Sequence, residues 1–302
     1  MSFPPSDEQF NLERSAELLE ASGLYRVLRK LPPLNVRKHE IKPDERVVAI
    51  VDTETTGLDL NQDEVIEISG IKIAYDSQGN FSGLISTFSQ LQEPRARLNA
   101  DVIRLTGLTM TTLKGQAIDR AGLAKFIEEA DLIVAHNAAF DRPFCERLSD
   151  VFQKKPWACS ATEIDWKAYG FNGARLTDLL SQAGWFYEAH RALDDCNALI
   201  QILGTKFNEH RNTPFQDLLI SARQTKTRLS FSASFSSRAV LRGKGFRWKP
   251  GDSKASGKWY IDLSEEAIEP TLTWLITDLR VNEAQISFHQ MTAFDRYRLQ
   301  SE

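Results

Sequence analysis

Two carboxylates two positions apart close the run Val47-Val48-Ala49-Ile50-Val51-Asp52-Thr53-Glu54-Thr55-Thr56-Gly57-Leu58. An unbroken apolar run rich in β-branched residues reads as a strand buried on both faces. Side chains alternate along a strand, so Asp52 and Glu54 point the same way at its end. Adjacent carboxylates in such a place repel one another and lose hydration, a cost that a divalent cation removes. Mg²⁺ and Mn²⁺ suit an all-oxygen donor set.

Such a site needs ligands from neighbouring elements. Leu132-Ile133-Val134-Ala135 reads as a second short buried strand, and Asp141 falls one turn into the helix expected after it. In His190-Arg191-Ala192-Leu193-Asp194-Asp195, His190 stands near a helix start and Asp195 lies five positions on. That spacing turns both toward one cleft. Asp194 is the rival ligand, and the offset from His190 favours Asp195. Each residue alone has a plainer reading: Asp52 as a turn residue, Asp141 as a helix cap, His190 as a core or helix-start histidine. Their common order along the chain is what argues for a site. His136 and Asn137 read as residues that order the loop before Asp141.

The elements that must hold these groups follow from periodicity. Val65–Ile73 and Leu84–Phe88 read as strands, separated by the turn Asp76-Ser77-Gln78-Gly79-Asn80. Asp101–Leu105, Asp119–Ala130, Arg175–Gly184 and Arg191–Phe207 read as helices. Strands first, then strands alternating with helices, predict an α/β domain with a mixed sheet flanked by helices. Residues 6–30 predict helix, capped by Ser6 or Asp7 and broken near Ser22-Gly23. Residues 1–46 thus form a helical N-terminal extension packed on the main domain. A nucleic-acid contact through Arg26, Arg29, Lys30, Arg37 and Lys38 is the weaker alternative, because acidic residues balance them.

Three ordered motifs then coincide. Asp-Thr-Glu-Thr-Thr-Gly-Leu at 52–58, Ala-His-Asn-Ala-Ala-Phe-Asp at 135–141 and His-Arg-Ala-Leu-Asp-Asp at 190–195 resemble those of the histidine branch of the DEDD exonucleases. This DnaQ-like family includes the proofreading epsilon subunit of bacterial DNA polymerase III. Arg104-Leu105-Thr106-Gly107-Leu108-Thr109 resembles the segment that usually precedes the second motif. The resemblance covers about 47–210 and leaves both flanks outside it.

The resemblance implies an RNase H-like fold and a two-metal 3′→5′ exonuclease using Mg²⁺ or Mn²⁺. Asp52, Glu54, Asp141 and Asp195 would be its metal ligands, with Asp52 bridging both ions, and His190 its general base. The product would be a nucleoside 5′-monophosphate released from a DNA 3′ end, single-stranded or frayed. Thr55, Gly57, Leu58 and Asn137 would touch the substrate, Gly57 by letting backbone approach it. An exoribonuclease acting on short RNA or RNA ends is the alternative, since the motifs do not read the 2′-OH. A non-catalytic accessory protein to a polymerase is less favoured, because all five motif residues are present. A polymerase or repair complex remains open as partner: there is no clamp-binding peptide of the Gln-Leu-x-Leu-Phe kind and no polymerase domain.

Charge divides the chain. Residues 47–222 hold 16 basic and 24 acidic residues, whereas 223–260 hold 10 basic and 1 acidic. Phe231, Phe235, Phe246, Trp248, Trp259 and Tyr260 are interleaved with these cations. Cations track phosphates and aromatic faces stack on unpaired bases. Arg238, Arg242, Lys244, Arg247 and Lys249 are the expected backbone contacts, and Trp248 and Trp259 read as the core of a small unit. Residues 215–302 are expected to form this α+β accessory domain, around a hairpin of 244–250 and 258–261 and a helix over 265–279, beside a metal-dependent domain at 47–212. Deleting 223–302 is expected to weaken binding and leave the metal site intact. No apolar run approaches the ~18 residues that cross a bilayer, and the N-terminus lacks a signal-peptide pattern. Together with three cysteines lacking metal-type spacing, these features predict a cytoplasmic protein without membrane contact.

Overall fold

The computed structural model describes residues 7–33, 39–207, 210–249, 251 and 257–298. Ser6, Arg37, Lys38 and much of the expected hairpin loop lie outside them. Helix α1 (Asp7–Ala21) ends before Gly23, whose left-handed φ of 70° makes the expected break. Residues 24–30, expected as a second helical stretch, are not helical and end in strand β1 (Arg29–Lys30), and then β2 (Arg46–Thr55), β3 (Val65–Tyr75) and β4 (Phe81–Leu91) run as an antiparallel meander. Helices α2 (Ala100–Thr106), α3 (Met110–Leu113) and α4 (Arg120–Glu128) lead to β5 (Leu132–Ala135) and α5 (Ala138–Leu148). Strand β6 (Trp157–Cys159), helix α6 (Leu176–Gln182), strand β7 (Trp185–Phe186) and helix α7 (Ala192–Gly204) complete the main unit's alternation.

The main sheet has the order β4-β3-β2-β5-β6, with β5 and β6 parallel to β2. It is the mixed α/β sheet expected from the sequence. Alternation along β2 sends Val48 and Ile50 into one core layer and Ala49 and Val51 into the other. Helices α6 and α7 supply Leu179, Leu180, Leu199, Ile202 and Leu203 to the first layer. Helices α4 and α5 supply Leu123, Ile127, Phe144 and Leu148 to the second. Burial on both faces explains why the first half of β2 and the whole of β5 are continuous apolar runs.

The extension is held by its cations. Arg26 donates to the Ser181 and Gln182 carbonyls at the end of α6 (2.5 and 2.7 Å), Arg29 pairs with Glu13, and β1 pairs in parallel with β7.

Helix α8 (Pro214–Arg223) opens with Thr213 in a capping box with Gln216, and buries Phe215, Leu218 and Leu219 in the first core layer. The expected accessory boundary therefore falls inside a helix packed on the main unit. Beyond it lie β8 (Lys226–Phe231), α9 (Arg238–Gly243), β9 (Arg247–Lys249), β10 (Lys258–Leu263), α10 (Glu265–Thr277) and β11 (Ser287–Met291). These strands form an antiparallel sheet of order β11-β8-β10-β9. Leu229, Phe231, Leu241, Phe246, Trp259 and Leu275 are its core. Trp259 is buried, whereas Trp248 keeps 38% of its surface exposed at a ring distance of 5.3 Å from Trp259.

The chain then returns to the main unit. The Trp157 amide on edge strand β6 donates to the Ala293 carbonyl (2.8 Å). Arg142 of α5, fully buried, donates to the Phe294 and Arg296 carbonyls (2.8 and 2.7 Å) and pairs with Glu146. Arg296 pairs in turn with buried Glu163 (2.5 Å), which also accepts from Tyr297 (2.7 Å). A cut at residue 223 would remove these buried contacts.

Candidate active site

Strands β2, β5 and β6 all end at one rim of the sheet, and in open α/β sheets ligands gather outside such carboxyl ends. Asp52 and Glu54 share the parity of Val48 and Ile50, so they face the layer containing α7. There Asp195, in the first turn of α7, joins them. Carboxylate oxygens of Asp52, Glu54 and Asp195 lie within 4.8 Å of one another. Asp194, the rival, is exposed. The pairing of β2 with β3 shifts register between Glu54 and Thr55, an irregularity that re-aims side chains where the strand leaves the sheet.

Asp141 approaches from the opposite layer. Its position in the first turn of α5 brings it to Thr53, whose side chain points away from those of Asp52 and Glu54. The Asp141 Oδ1 accepts from the Thr53 amide (3.1 Å) and hydroxyl (2.8 Å). Asp141 is thus beside the three-carboxylate group rather than inside it.

Electrostatics mark these groups as a set. Burial, then the charges of Asp141 and Asp195, push the Asp52 carboxyl well above the usual range. Burial and Asp195 raise Glu54 to about 8. Burial raises Asp141 to about 7, against the stabilising Thr53 hydrogen bonds. Asp195 is raised by burial, although Tyr187 and the His190 amide donate to it. Carboxylates gathered this way oppose ionisation unless a cation joins them. The all-oxygen donor set fits a hard divalent cation.

The third motif is shaped by residues whose role was not legible in the sequence. Tyr187 donates from its hydroxyl to Asp195 Oδ1 (2.7 Å), and the His190 amide donates to Oδ2 (2.9 Å). His190 adopts a left-handed φ of 71° and its side chain is exposed at the site's edge. Arg191 grips Glu67 through Nε and Nη2 (both 3.1 Å), and the Ala192 amide lies 3.4 Å from the same carboxylate. Glu67 is buried on β3, directly across from Glu54. Like charges facing across a ladder are costly, so Arg191 both neutralises Glu67 and moors the start of α7. The only sequence signal for this was an acidic residue inside an apolar strand.

The other expected contacts divide. The Thr55 hydroxyl donates to the Gly57 carbonyl (2.6 Å), closing the turn after β2. The Asp63 carboxylate packs on Gly57, lying 2.5 Å from where a Cβ would stand, so a larger residue there would have to displace Asp63 from its hydrogen bonds to Thr56 and the Asp59 amide. Leu58 is 85% exposed beyond the strand, and Asn137 is exposed at the start of α5. His136 is structural: it bonds Ser160 and the Ala174 carbonyl (2.9 and 2.6 Å), and burial holds its pKa down at about 4. The cations expected to bind nucleic acid, Arg238, Arg242, Lys244, Arg247 and Lys249, are all exposed on the small C-terminal sheet and α9, outside this cluster.

Comparison with known proteins covers the same region. The family model RNase_T, described as an exonuclease, matches residues 49–203. The chain is 29% identical over 183 residues to the PolC-type DNA polymerase III of Clostridium perfringens, covering 59% of this chain but 12% of that protein. It is 29% identical over 169 residues to the DNA polymerase III subunit epsilon of Treponema pallidum, covering 53% of this chain and 75% of that one. The chain therefore spans a small part of the PolC-type relatives. Among solved structures, exonuclease X in complex with 5′ overhanging duplex DNA aligns with a TM-score of 0.41 at 22% identity, covering 58% of this chain and 99% of that one.

Proposed function

The chain belongs to the RNase_T exonuclease family, and from that premise we propose that it is a 3′→5′ exonuclease releasing nucleoside 5′-monophosphates from DNA 3′ ends. The observation that carries this reading is the convergence of Asp52, Glu54 and Asp195 oxygens within 4.8 Å at the end of a buried sheet, with Asp141 alongside. DNA is favoured over RNA as substrate because the relatives named above are DNA polymerase III proteins. A polymerase assembly as partner and a cytoplasmic location rest on the same names. Among the described residues no helix is long and apolar enough to cross a membrane.

In this reading Asp52, Glu54, Asp141 and Asp195 hold two Mg²⁺ or Mn²⁺ ions. When bound, these supply the positive charge that an in-line phosphodiester displacement needs on its attacking and leaving oxygens. The chain's own residues do the rest. His190 takes the proton of the attacking water, from an exposed position that can reach solvent and substrate. Tyr187 and the His190 amide fix both oxygens of Asp195, and Thr53 fixes Asp141. Leu58 offers an apolar contact to the terminal base, while Thr55 and Gly57 hold its loop and Asn137 flanks the site. The division into an N-terminal extension to residue 46, an exonuclease unit from 47 and a small C-terminal unit belongs to the same proposal, with α8 and residues 292–298 assigned to the exonuclease side.

A degradation assay on 5′-labelled DNA, single-stranded or with blunt or frayed ends, and on RNA tests this. The expected result is a Mg²⁺- or Mn²⁺-dependent 3′→5′ ladder on DNA, lost with chelator and in Asp52→Ala. A ladder that survives Asp52→Ala would overturn the reading.

A further inference from the structure

The strand register of the small C-terminal sheet sorts its residues into two faces. Trp259, Leu263, Leu229 and Phe231 point to the core. Residues one position off share the opposite face. Arg247 stands across from Tyr260, Lys249 across from Lys258, and Arg228 across from Asp262 and His289. Among the described residues this face therefore carries Lys226, Arg228, Arg247, Lys249, Lys258 and His289 against one acid, Asp262, which Arg228 already holds at 2.6 Å. Its outer part is open: Arg247, Lys249, Lys258 and His289 are exposed, and Tyr260 is half-buried with the Arg228 guanidinium 4.5 Å above its ring. Trp248 and α9, with Arg238, Arg242 and Lys244, are not on it, so the basic block is split by the fold.

At its inner end the face meets the rim where β6 leaves the main sheet. Lys226 feels the charge of Glu163, Arg296 joins Glu163 to the Gln224 carbonyl just before β8, and Tyr297 bonds Thr162 and Glu163 just beyond β6. That is the rim on which the carboxylates stand.

We infer that this open sheet face is a second nucleic-acid site, which holds single-stranded DNA upstream of the 3′ end. The inference rests on the exonuclease reading for its direction of threading. Cations on alternate positions of β9 and β10 contact the phosphates, and Tyr260 presents a ring to unstacked bases, which a duplex does not offer. Charge complementarity selects a polyanion, and the continuity of the face with the catalytic rim selects the substrate strand itself.

The test measures anisotropy of a fluorescent oligothymidylate in chelator, where no cleavage occurs, over a range of salt. Arg247→Ala/Lys258→Ala should bind about tenfold more weakly, with a log–log salt slope shallower by about 1.4, the change for two lost contacts to a single strand. The control Lys114→Ala/Lys125→Ala removes two exposed cations elsewhere. Tyr260→Ala should weaken single-stranded binding more than duplex binding. Melting curves check that each variant is folded. Equal effects of the two double variants, or none, would overturn the inference, as would a loss confined to anionic phospholipid vesicles. Wild-type degradation of DNA together with an indifferent face sinks this inference alone. Binding through the face by a protein that releases no nucleotide sinks the exonuclease reading alone.

Discussion

At the scale of single residues, the site is a set of carboxylates held against their own repulsion. A carboxyl raised in the folded state costs nothing below its unfolded pKa and its full penalty above its folded one. For Glu54 and Asp141 that window opens near the ordinary carboxylate range and closes at about 8 and about 7. The metal-free protein should therefore lose stability from this cluster as pH rises from about 4 to 8. Added Mg²⁺ or Mn²⁺ should raise Tm more at pH 8 than at pH 5.5, and Asp52→Asn should shrink that difference; equal metal shifts at both pH values would contradict it. His190 carries a second prediction. His190→Ala should lower kcat about 10²–10⁴-fold, as loss of a general base does. His190→Gly should be as inactive but about 1 kcal/mol more stable than the alanine variant, because glycine accepts a φ of 71° without strain. Single-turnover rates and urea titrations read the two effects separately.

At the scale of elements, helix starts do the positioning. Arg191 ties α7 to β3 through Glu67, and Asp195 rides on that first turn. Arg191→Ala strands a buried carboxylate and should cost about 2–3 kcal/mol, below the 3–5 of a fully buried pair because Arg191 is half-exposed. It should also raise the metal concentration needed for half-maximal rate, and Arg191→Lys, lacking the bidentate fork, should rescue only part of either effect. Unchanged metal dependence in Arg191→Ala would show that Glu67 is held for packing alone. These residues were hard to read in advance. Glu67 looks like one polar interruption of a strand, and its partner lies 124 positions away. By contrast β2, β5 and α5 were legible, because local alternation and a short apolar run suffice to define them.

At the scale of the whole molecule, the C-terminal segment is both an added sheet and a fastening. Residues 292–298 satisfy buried Arg142 and extend the edge of β6. A chain ending at residue 223 should thus melt well below the full chain, by about 10 °C if about 3–5 kcal/mol is lost. Arg142→Ala should reproduce much of that loss in the intact chain. Matching melting temperatures for full and shortened chains would show that the fastening is dispensable.

The sequence by itself determined the opening strand, the helices that carry Asp141 and Asp195, and the order of the motifs, because each depends on neighbours within a few residues. Tertiary structure alone decided how the carboxylates are shared between the two layers of the sheet. It put Asp52, Glu54 and Asp195 together on the α7 side and hung Asp141 from Thr53 on the other, since that depends on which strands are adjacent and in what register. The same reason split the basic block. Composition counts cations along the chain, but only pairing across strands decides that Arg247, Lys249 and Lys258 share one open face while Trp248 turns to the other.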